Sequence, residues 1–349
     1  MIQISSITRE RWYRFKSIKR SYYSLWMLSL AFVLSLFAEF WAGDKPILMK
    51  FDGEYYFPII SFYSDIEFGG SFKTEANYLD LKKRITTSPI LGEIPDNSNW
   101  MILPIIPHDP LTSYLDLEEN PPHAPSFVHY LGTDSAARDV LSRLIHGFRI
   151  CMLFSLVITT LGVLLGIVIG GIQGYIGGKT DLFMQRGIEV WSQLPFLYVI
   201  ILIAEIYGRG FWLLVFIMCL FQWIGLSYYM RGEFLKLKQT TYVKSAKALG
   251  LSSRHIFFRE ILPNALTPLI TLVPFSLIGG ISLLTSLDFL GFGLQPPTPS
   301  WGELLNQGWK HLYAPWITLS TLGALSITLL LTTFIGEGVR EAFDPRGKK

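Results

Sequence analysis

The dominant feature of the sequence is a series of long apolar runs that contain no Asp, Glu, Lys or Arg. An α-helix needs about 20 such residues to cross about 30 Å of hydrocarbon, and most of the runs approach that length. We therefore expect an all-α integral membrane protein with six transmembrane helices, of which the third is short and contains Pro195. The runs are residues 21–38, 150–172, 190–204, 210–230, 261–287 and 312–335.

Lys and Arg residues predict the orientation. They accumulate in residues 1–20, in the connection 231–263 and in the tail 339–349, and short loops rich in these residues stay in the cytoplasm. The first run follows some twenty polar residues, and no small-residue cleavage site comes after it, so we expect a retained anchor. The predicted segments are 1–20 (cytoplasmic), 21–43 (first transmembrane helix), 44–128 (outer insertion), 129–149 (outer surface helix), 150–338 (five-helix membrane domain) and 339–349 (cytoplasmic tail).

The insertion between the first two spans has three parts. Residues 51–63 are rich in aromatic and β-branched side chains, which predicts a small lobe containing strands, and residues 89–125 are punctuated by proline, which predicts a linker. Thr133 or Asp134 can cap an amphipathic helix that continues to Phe148. We expect that helix to lie on the outer membrane surface.

The cytoplasmic connection 231–263 is longer than a turn between spans requires. Residues 242–249 predict a short helix ended by Gly250, and Ser252 or Ser253 can start a second helix that runs to Pro263. Its predicted apolar face consists of Phe257, Phe258, Ile261 and Leu262. Two such helices could dock in the groove of a partner protein, or they could rest on lipid as an amphipathic hairpin.

The segment YVKSAKALGLSSRHIFFREILPNAL, residues 242–266, resembles the EAA loop of binding-protein-dependent ABC importers. The resemblance implies that this loop docks on ATP-hydrolysing subunits. Lys244 stands where the family has glutamate, and Ser245 where it has its first alanine. The implied coupling residues are Lys244, Ser245, Ala246, Gly250, Leu251, Ser252, Ile256, Leu262 and Pro263.

Four further segments, 129–149, 174–186, 287–305 and 340–346, resemble the dipeptide and oligopeptide (OppC/DppC-like) permease branch. Tyr130 replaces a usual proline of that branch, and Ala137 a usual glycine. Within the insertion, FDGEYYFP and FGGSFKTEANY resemble the YejE type, a branch associated with peptides and the peptide-nucleotide antibiotic microcin C.

These resemblances imply a bacterial inner membrane permease with a type I ABC importer core. The implied partners are a second permease subunit in a heterodimer, two cytoplasmic ATP-binding subunits or one fused double ATPase, and a periplasmic solute-binding protein. ATP and Mg²⁺ would bind to the partners, so we expect no cofactor in this chain. Gly177 to Thr180 resemble the end of a phosphate-binding loop, but Gln173 stands where that loop needs its first glycine. We therefore expect no nucleotide binding by this chain.

Two features of the predicted spans admit more than one interpretation. Gly162, Gly166, Gly170 and Gly174 recur every fourth residue, which favours close helix packing over contact with a ligand. Asp288 could face a translocation path or could be an interfacial carboxylate at a helix end. Pro268 and Pro274 predict a bend in the fifth span.

Other classes of protein fit less well. The six histidines are scattered, so we expect no metal site and no catalytic set, and Cys151 and Cys219 suit packing rather than a disulfide. A net charge of +3 without basic and aromatic clusters argues against nucleic-acid binding. A secondary transporter would need inverted repeats and paired intramembrane charges. That class and a membrane scaffold of an envelope complex remain as alternatives.

Overall fold

The computed structural model describes residues 6–86, 99–115 and 120–344. The chain forms two compact units. The helical unit comprises the described residues of Met1–Ala31, Ile150–Asn306 and Leu322–Lys349, and the lobe unit comprises those of Phe32–Arg149 and Gln307–Thr321. Part of the predicted linker, residues 89–98 and 116–119, lies outside the described residues.

The described chain is mainly helical, which confirms the predicted helical character. The helices are α1 (Ser6–Ser17), α2 (Lys19–Leu36), α3 (Ala38–Trp41), α4 (Tyr78–Thr86), α5 (Val140–Ile176), α6 (Gly178–Ser192), α7 (Phe196–Tyr207), α8 (Phe211–Lys238), α9 (Thr241–Ala248), α10 (Ser253–His255), α11 (Leu262–Ile270), α12 (Val273–Phe289), α13 (Trp301–Lys310) and α14 (Pro315–Phe343).

Among the described residues, α5, α8 and α14 are each long and apolar enough to cross a membrane. Two bent pairs, α6 with α7 and α10–α11 with α12, meet the same test when each pair is taken together, which makes up to five spans. The first predicted span corresponds to α2, which is 18 residues long, includes Lys19 and Arg20, and is not among these helices. Six spans therefore remain a prediction.

Prolines lie at both bends. The third predicted run is split, because α6 and α7 meet at 67° around Pro195. The fifth bends by 53° between α11 and α12, where Pro274 lies in the first turn of α12. Proline lacks the N–H that a continuous helix needs and its ring clashes with the preceding turn. The predicted bend of the fifth span is confirmed.

The predicted surface helix before the second span is absent from residues 129–139, and α5 begins at Val140 and continues without a break to Ile176. Asp139 is the cap, because its Oδ1 accepts the N–H of Ser142 at 2.7 Å. Thr133 and Asp134 instead bond within the preceding loop: Thr133 Oγ1 accepts the N–H of His123, and Asp134 accepts the side-chain Nε of Arg138.

Ala137 explains why this loop does not continue as a helix. It has a φ of 58° in the left-handed region, which suits glycine better than a residue with a side chain. The residue replaces the glycine that is usual in the resembling permeases. The alanine at this position therefore adopts a backbone conformation that glycine takes up more readily.

The lobe unit contains the predicted strands. Leu48–Phe51 (β1) pairs antiparallel with both Glu54–Tyr56 (β2) and Trp100–Ile102 (β3), in the order β2-β1-β3. The prediction of a linker for residues 89–125 is therefore wrong at β3, which completes the sheet. Met49 of β1 packs in a small core with Phe68, Tyr78 and Leu81.

Candidate functional site

The predicted docking segment is a compact helix–turn–helix, which we call the knob and define as residues 241–262. Its first helix, α9, buries Val243 and Ala246, which lie one helical turn apart. These two side chains belong to one apolar cluster with Met230 and Phe234 of α8. The knob is therefore packed onto the C-terminal part of α8, which runs on to Lys238 and takes up part of the predicted connection.

Gly250 ends α9 in the left-handed conformation, with a φ of 79°. The N–H of Leu251 donates to the carbonyl of Ala246 at 3.2 Å, and the N–H of Gly250 donates to that of Lys247 at 3.1 Å. These are the two hydrogen bonds of a Schellman motif. The predicted capping role of Gly250 is confirmed.

Ser252 begins the second helix of the knob, because its Oγ accepts the N–H of His255 at 3.3 Å. The helix then passes through a π-helical turn, Ile256–Ile261, directly into α11. The prediction that it ends at Pro263 is wrong. Pro263 lies in the first turn of α11. At this point the backbone hydrogen bonds change from the i→i+5 pattern of the π-helical turn to the i→i+4 pattern of an α-helix. A proline, which lacks an N–H, is tolerated in a first helical turn.

The free surface of the knob combines apolar and basic side chains. Leu249 and Phe258 are 82% and 61% exposed, and Leu251 is 40% exposed. Exposed apolar side chains rimmed by polar ones are typical of a protein interaction site. The exposed basic residues are Lys244, Lys247, Arg254 and Arg259.

The nine residues implied in coupling fall into two groups. Ala246 and Ile256 are buried and Leu262 is half-buried, so these three pack the knob internally. Leu249, which the resemblance does not include, lies outside the buried face of α9 and is exposed as well. Phe258, which the sequence predicts on the apolar face of the second helix, is exposed. The six exposed members are Lys244, Ser245, Gly250, Leu251, Ser252 and Pro263.

The four glycines of the stripe lie where α5 approaches α8. A Cβ at Gly170 would lie 2.2 Å from the carbonyl oxygen of Ser227, and a Cβ at Gly174 would lie 2.6 Å from that of Arg231. At Gly162 and Gly166 the nearest atoms are side-chain carbons of α8, at 3.0 and 2.6 Å. The stripe therefore lets the two backbones approach more closely than any side chain would permit.

Two polar contacts hold the same part of α8. Arg231 donates to both carboxylate oxygens of Asp181 in α6, at 2.5 and 2.6 Å. Lys238 donates to the carbonyl of Tyr175, at the end of α5, at 2.6 Å. Lysine at a helix C-terminus also complements the helix dipole. The C-terminal part of α8, on which the knob packs, is thus held to α5 and α6.

Asp288, at the end of α12, is buried and hydrogen-bonded within the chain. Its Oδ1 accepts the N–H of Leu294 at 2.6 Å, and its Oδ2 accepts the hydroxyl of Ser300 at 2.5 Å. These bonds hold the loop that follows α12 against the helix end. The arrangement favours the interpretation of Asp288 as a helix-end carboxylate over contact with a translocation path.

A second polar cluster lies in the lobe unit. His129 Nδ1 and Asp139 Oδ2 are 2.8 Å apart, and the ring centroids of His108 and His129 are 4.3 Å apart. All three residues are buried, and burial lowers the pKa of His108, so its imidazole is neutral at neutral pH. The expectation that the histidines are scattered is wrong for this pair, because the fold joins residues 21 positions apart.

Comparisons with known proteins agree with the resemblance. Residues 162–349 match the family model "Binding-protein-dependent transport system inner membrane component". The chain is 43% identical to the peptidoglycan transport system permease protein YejE of Agrobacterium fabrum, over 98% of this chain and 94% of that protein. It is 42% identical to the inner membrane ABC transporter permease protein YejE of Escherichia coli, over 99% of both chains.

An oligopeptide permease matches a smaller part of this chain than the YejE proteins do. The oligopeptide transport system permease protein OppC of Haemophilus influenzae is 35% identical over 63% of this chain and 71% of that protein, whereas the YejE proteins match almost the full length. The full-length matches therefore include the insertion. The chain belongs to the binding-protein-dependent transport system inner membrane component family and is an ABC importer permease of the YejE type.

Proposed function

We propose that this permease forms one half of a pathway for peptides or peptide-like compounds, and that its knob docks on cytoplasmic ATPase subunits. The observation that supports the docking role is the combination of rigidity and exposure in the knob. Val243 and Ala246 anchor it to α8, while Leu249 and Phe258 remain exposed. A packed helix–turn–helix can transmit a displacement of its tip to the helix on which it is packed.

The remaining partners follow from the family. A second permease subunit would complete the pathway as a heterodimer, and a solute-binding protein would deliver cargo from the periplasm. Energy would come from two ATP-binding subunits or from one fused double ATPase, which would bind ATP and Mg²⁺. This chain would then hydrolyse nothing and bind neither ATP nor its Mg²⁺.

The topology is part of the same proposal. Both termini and the knob would lie in the cytoplasm, as the excess of Lys and Arg in residues 1–20, 231–263 and 339–349 favours. Residues 44–128 would then form the periplasmic insertion, and residues 150–338 the five-helix core around the path. Peptide cargo is supported by relatives named for the transport of peptidoglycan and oligopeptides.

The experiment replaces the exposed apolar tip of the knob. The double variant Leu249→Glu/Phe258→Glu is coexpressed with its candidate permease and ATPase partners, and copurification and ATPase activity are measured with the solute-binding protein and peptide. Ile60→Glu serves as the matched control, because Ile60 is 77% exposed in the lobe unit. In the docked complex the partner would bury both side chains. Losing these two anchors, at about 2 kcal/mol each, weakens docking by roughly 1000-fold.

We expect the knob variant to lose the ATPase subunits and the control to retain them. Normal copurification and stimulation in the knob variant would contradict the docking role and favour a hairpin resting on lipid. If the wild-type chain neither binds an ATPase nor alters its turnover, the scaffold of an envelope complex becomes the better interpretation.

A further inference from the structure

The cluster of His108, His129 and Asp139 has the donor atoms of a metal site. One nitrogen from each imidazole and one carboxylate oxygen lie within 4.8 Å of one another. His108, His129 and Asp139 are 6%, 3% and 1% exposed. Imidazole and carboxylate donors together suit Zn²⁺ and related first-row divalent ions.

The hydrogen bond of His108 determines which of its nitrogens can act as a ligand. Its Nε2 lies 2.9 Å from the carbonyl oxygen of Val128, and a carbonyl can only accept, so Nε2 carries the proton. Nδ1 therefore has a free lone pair, and it is buried without a hydrogen-bond partner. A histidine ligand that donates its other N–H to a backbone carbonyl is a common arrangement around metals.

His129 and Asp139 are held in place in a similar way. Asp139 Oδ1 accepts the N–H of Ser142 at the start of α5, while its Oδ2 lies 2.8 Å from His129 Nδ1. A metal ion between these two atoms would replace the proton that they share. Nitrogen and oxygen ligands of one ion are commonly about 3 Å apart, given metal–ligand bonds of about 2.0–2.2 Å.

The histidines also have a route to solvent. His108 and His129 line a cavity of about 1180 Å³ within the lobe unit, together with the carboxylates of Asp44 and Asp109. The wall also carries Glu75 and Asp80 and the cations Lys45, Lys82 and Lys83, so its four carboxylates exceed its three lysines by one charge. The cavity could also supply a water molecule as a fourth ligand.

We propose that His108, His129 and Asp139 bind one divalent transition-metal ion, with Zn²⁺ as the best match to these donors. The ion would join the segment that follows β3 to the start of α5, across 31 positions of sequence. It would stabilise the lobe unit, and the proposal does not depend on the docking role of the knob.

The test uses the full-length chain, purified in detergent with a histidine-free affinity tag and stripped with a chelator. Zn²⁺ is titrated in competition with a chromophoric chelator, and bound metal is counted by mass spectrometry. His108→Gln removes a proposed ligand. His123→Gln is the matched control, because His123 is a half-buried histidine of the same unit outside the trio. Elution volume and melting temperature without metal establish that both variants are folded.

We expect one Zn²⁺ per chain for wild type and His123→Gln, and an affinity lower by at least about 10–100-fold for His108→Gln. Wild type that binds no stoichiometric Zn²⁺, or His108→Gln with wild-type affinity, would overturn the proposal. If His108→Gln does not fold, the visible spectrum of Co²⁺-loaded wild type decides. Intense bands abolished by Zn²⁺ support a low-coordinate protein site, and the weak spectrum of hydrated Co²⁺ refutes it.

Discussion

The contact between α5 and α8 predicts a large and specific effect of adding one methyl group at Gly170. In Gly170→Ala the new Cβ would lie 2.2 Å from the Ser227 carbonyl oxygen and 3.0 Å from the Arg231 nitrogen. Both atoms belong to the backbone, so no side-chain rotation relieves the clash. The two helices would have to separate by about 1 Å, a gap that forfeits a quarter to a half of each dispersion contact across them.

The magnitude follows from two opposing contributions. Overpacking costs about 1–3 kcal/mol, and the upper end applies here because the obstacle is backbone. Alanine is favoured over glycine inside a helix by about 1 kcal/mol, which leaves a net loss of about 2 kcal/mol. Gly232→Ala, in α8, is the control, because a Cβ there meets nothing within 4 Å. The helix preference cancels between these variants, so their difference of about 3 kcal/mol isolates the clash.

The assay is thermal unfolding of the purified chain in detergent, followed by tryptophan fluorescence. For a chain of 349 residues, 3 kcal/mol corresponds to a difference of about 4 °C between the variants. Gly162→Ala should lose less than Gly170→Ala, because its closest neighbour is the flexible side chain of Gln222 at 3.0 Å. A Gly170→Ala protein that melts at or above Gly232→Ala would refute the packing argument.

Two further predictions concern the knob and its base. Gly250→Ala forces a side chain into the left-handed conformation at φ 79°, which costs about 1 kcal/mol. Amide hydrogen exchange in α9 should therefore accelerate about fivefold relative to wild type, and more than in the control Gly250→Asn. Equal exchange rates in the two variants would contradict the strain argument. Asp181→Asn leaves Arg231 without its bidentate partner and should cost about 1.5–3 kcal/mol. A melting temperature equal to that of wild type would show that this ion pair contributes nothing.

Features set by neighbouring residues could be predicted from the sequence, because helix formation and capping depend on residues within a few positions. The glycine at position 250 and the apolar residues before it were enough to place α9 and its cap. The lengths of the uncharged apolar runs were enough to predict α5, α8 and α14. Spacing by four residues was enough to identify the glycine stripe, because that period puts all members on one helix face.

Tertiary structure decided the features that depend on residues far apart in the sequence. The sequence predicts Thr133 or Asp134 as the cap of a surface helix, but both bond within the preceding loop, and Asp139 caps α5 instead. His108 meets His129 only because the loop after β3 returns to the start of α5, so no local spacing could have indicated the site. The path of the chain sets such contacts, whereas local periodicity sets only the face on which a residue lies.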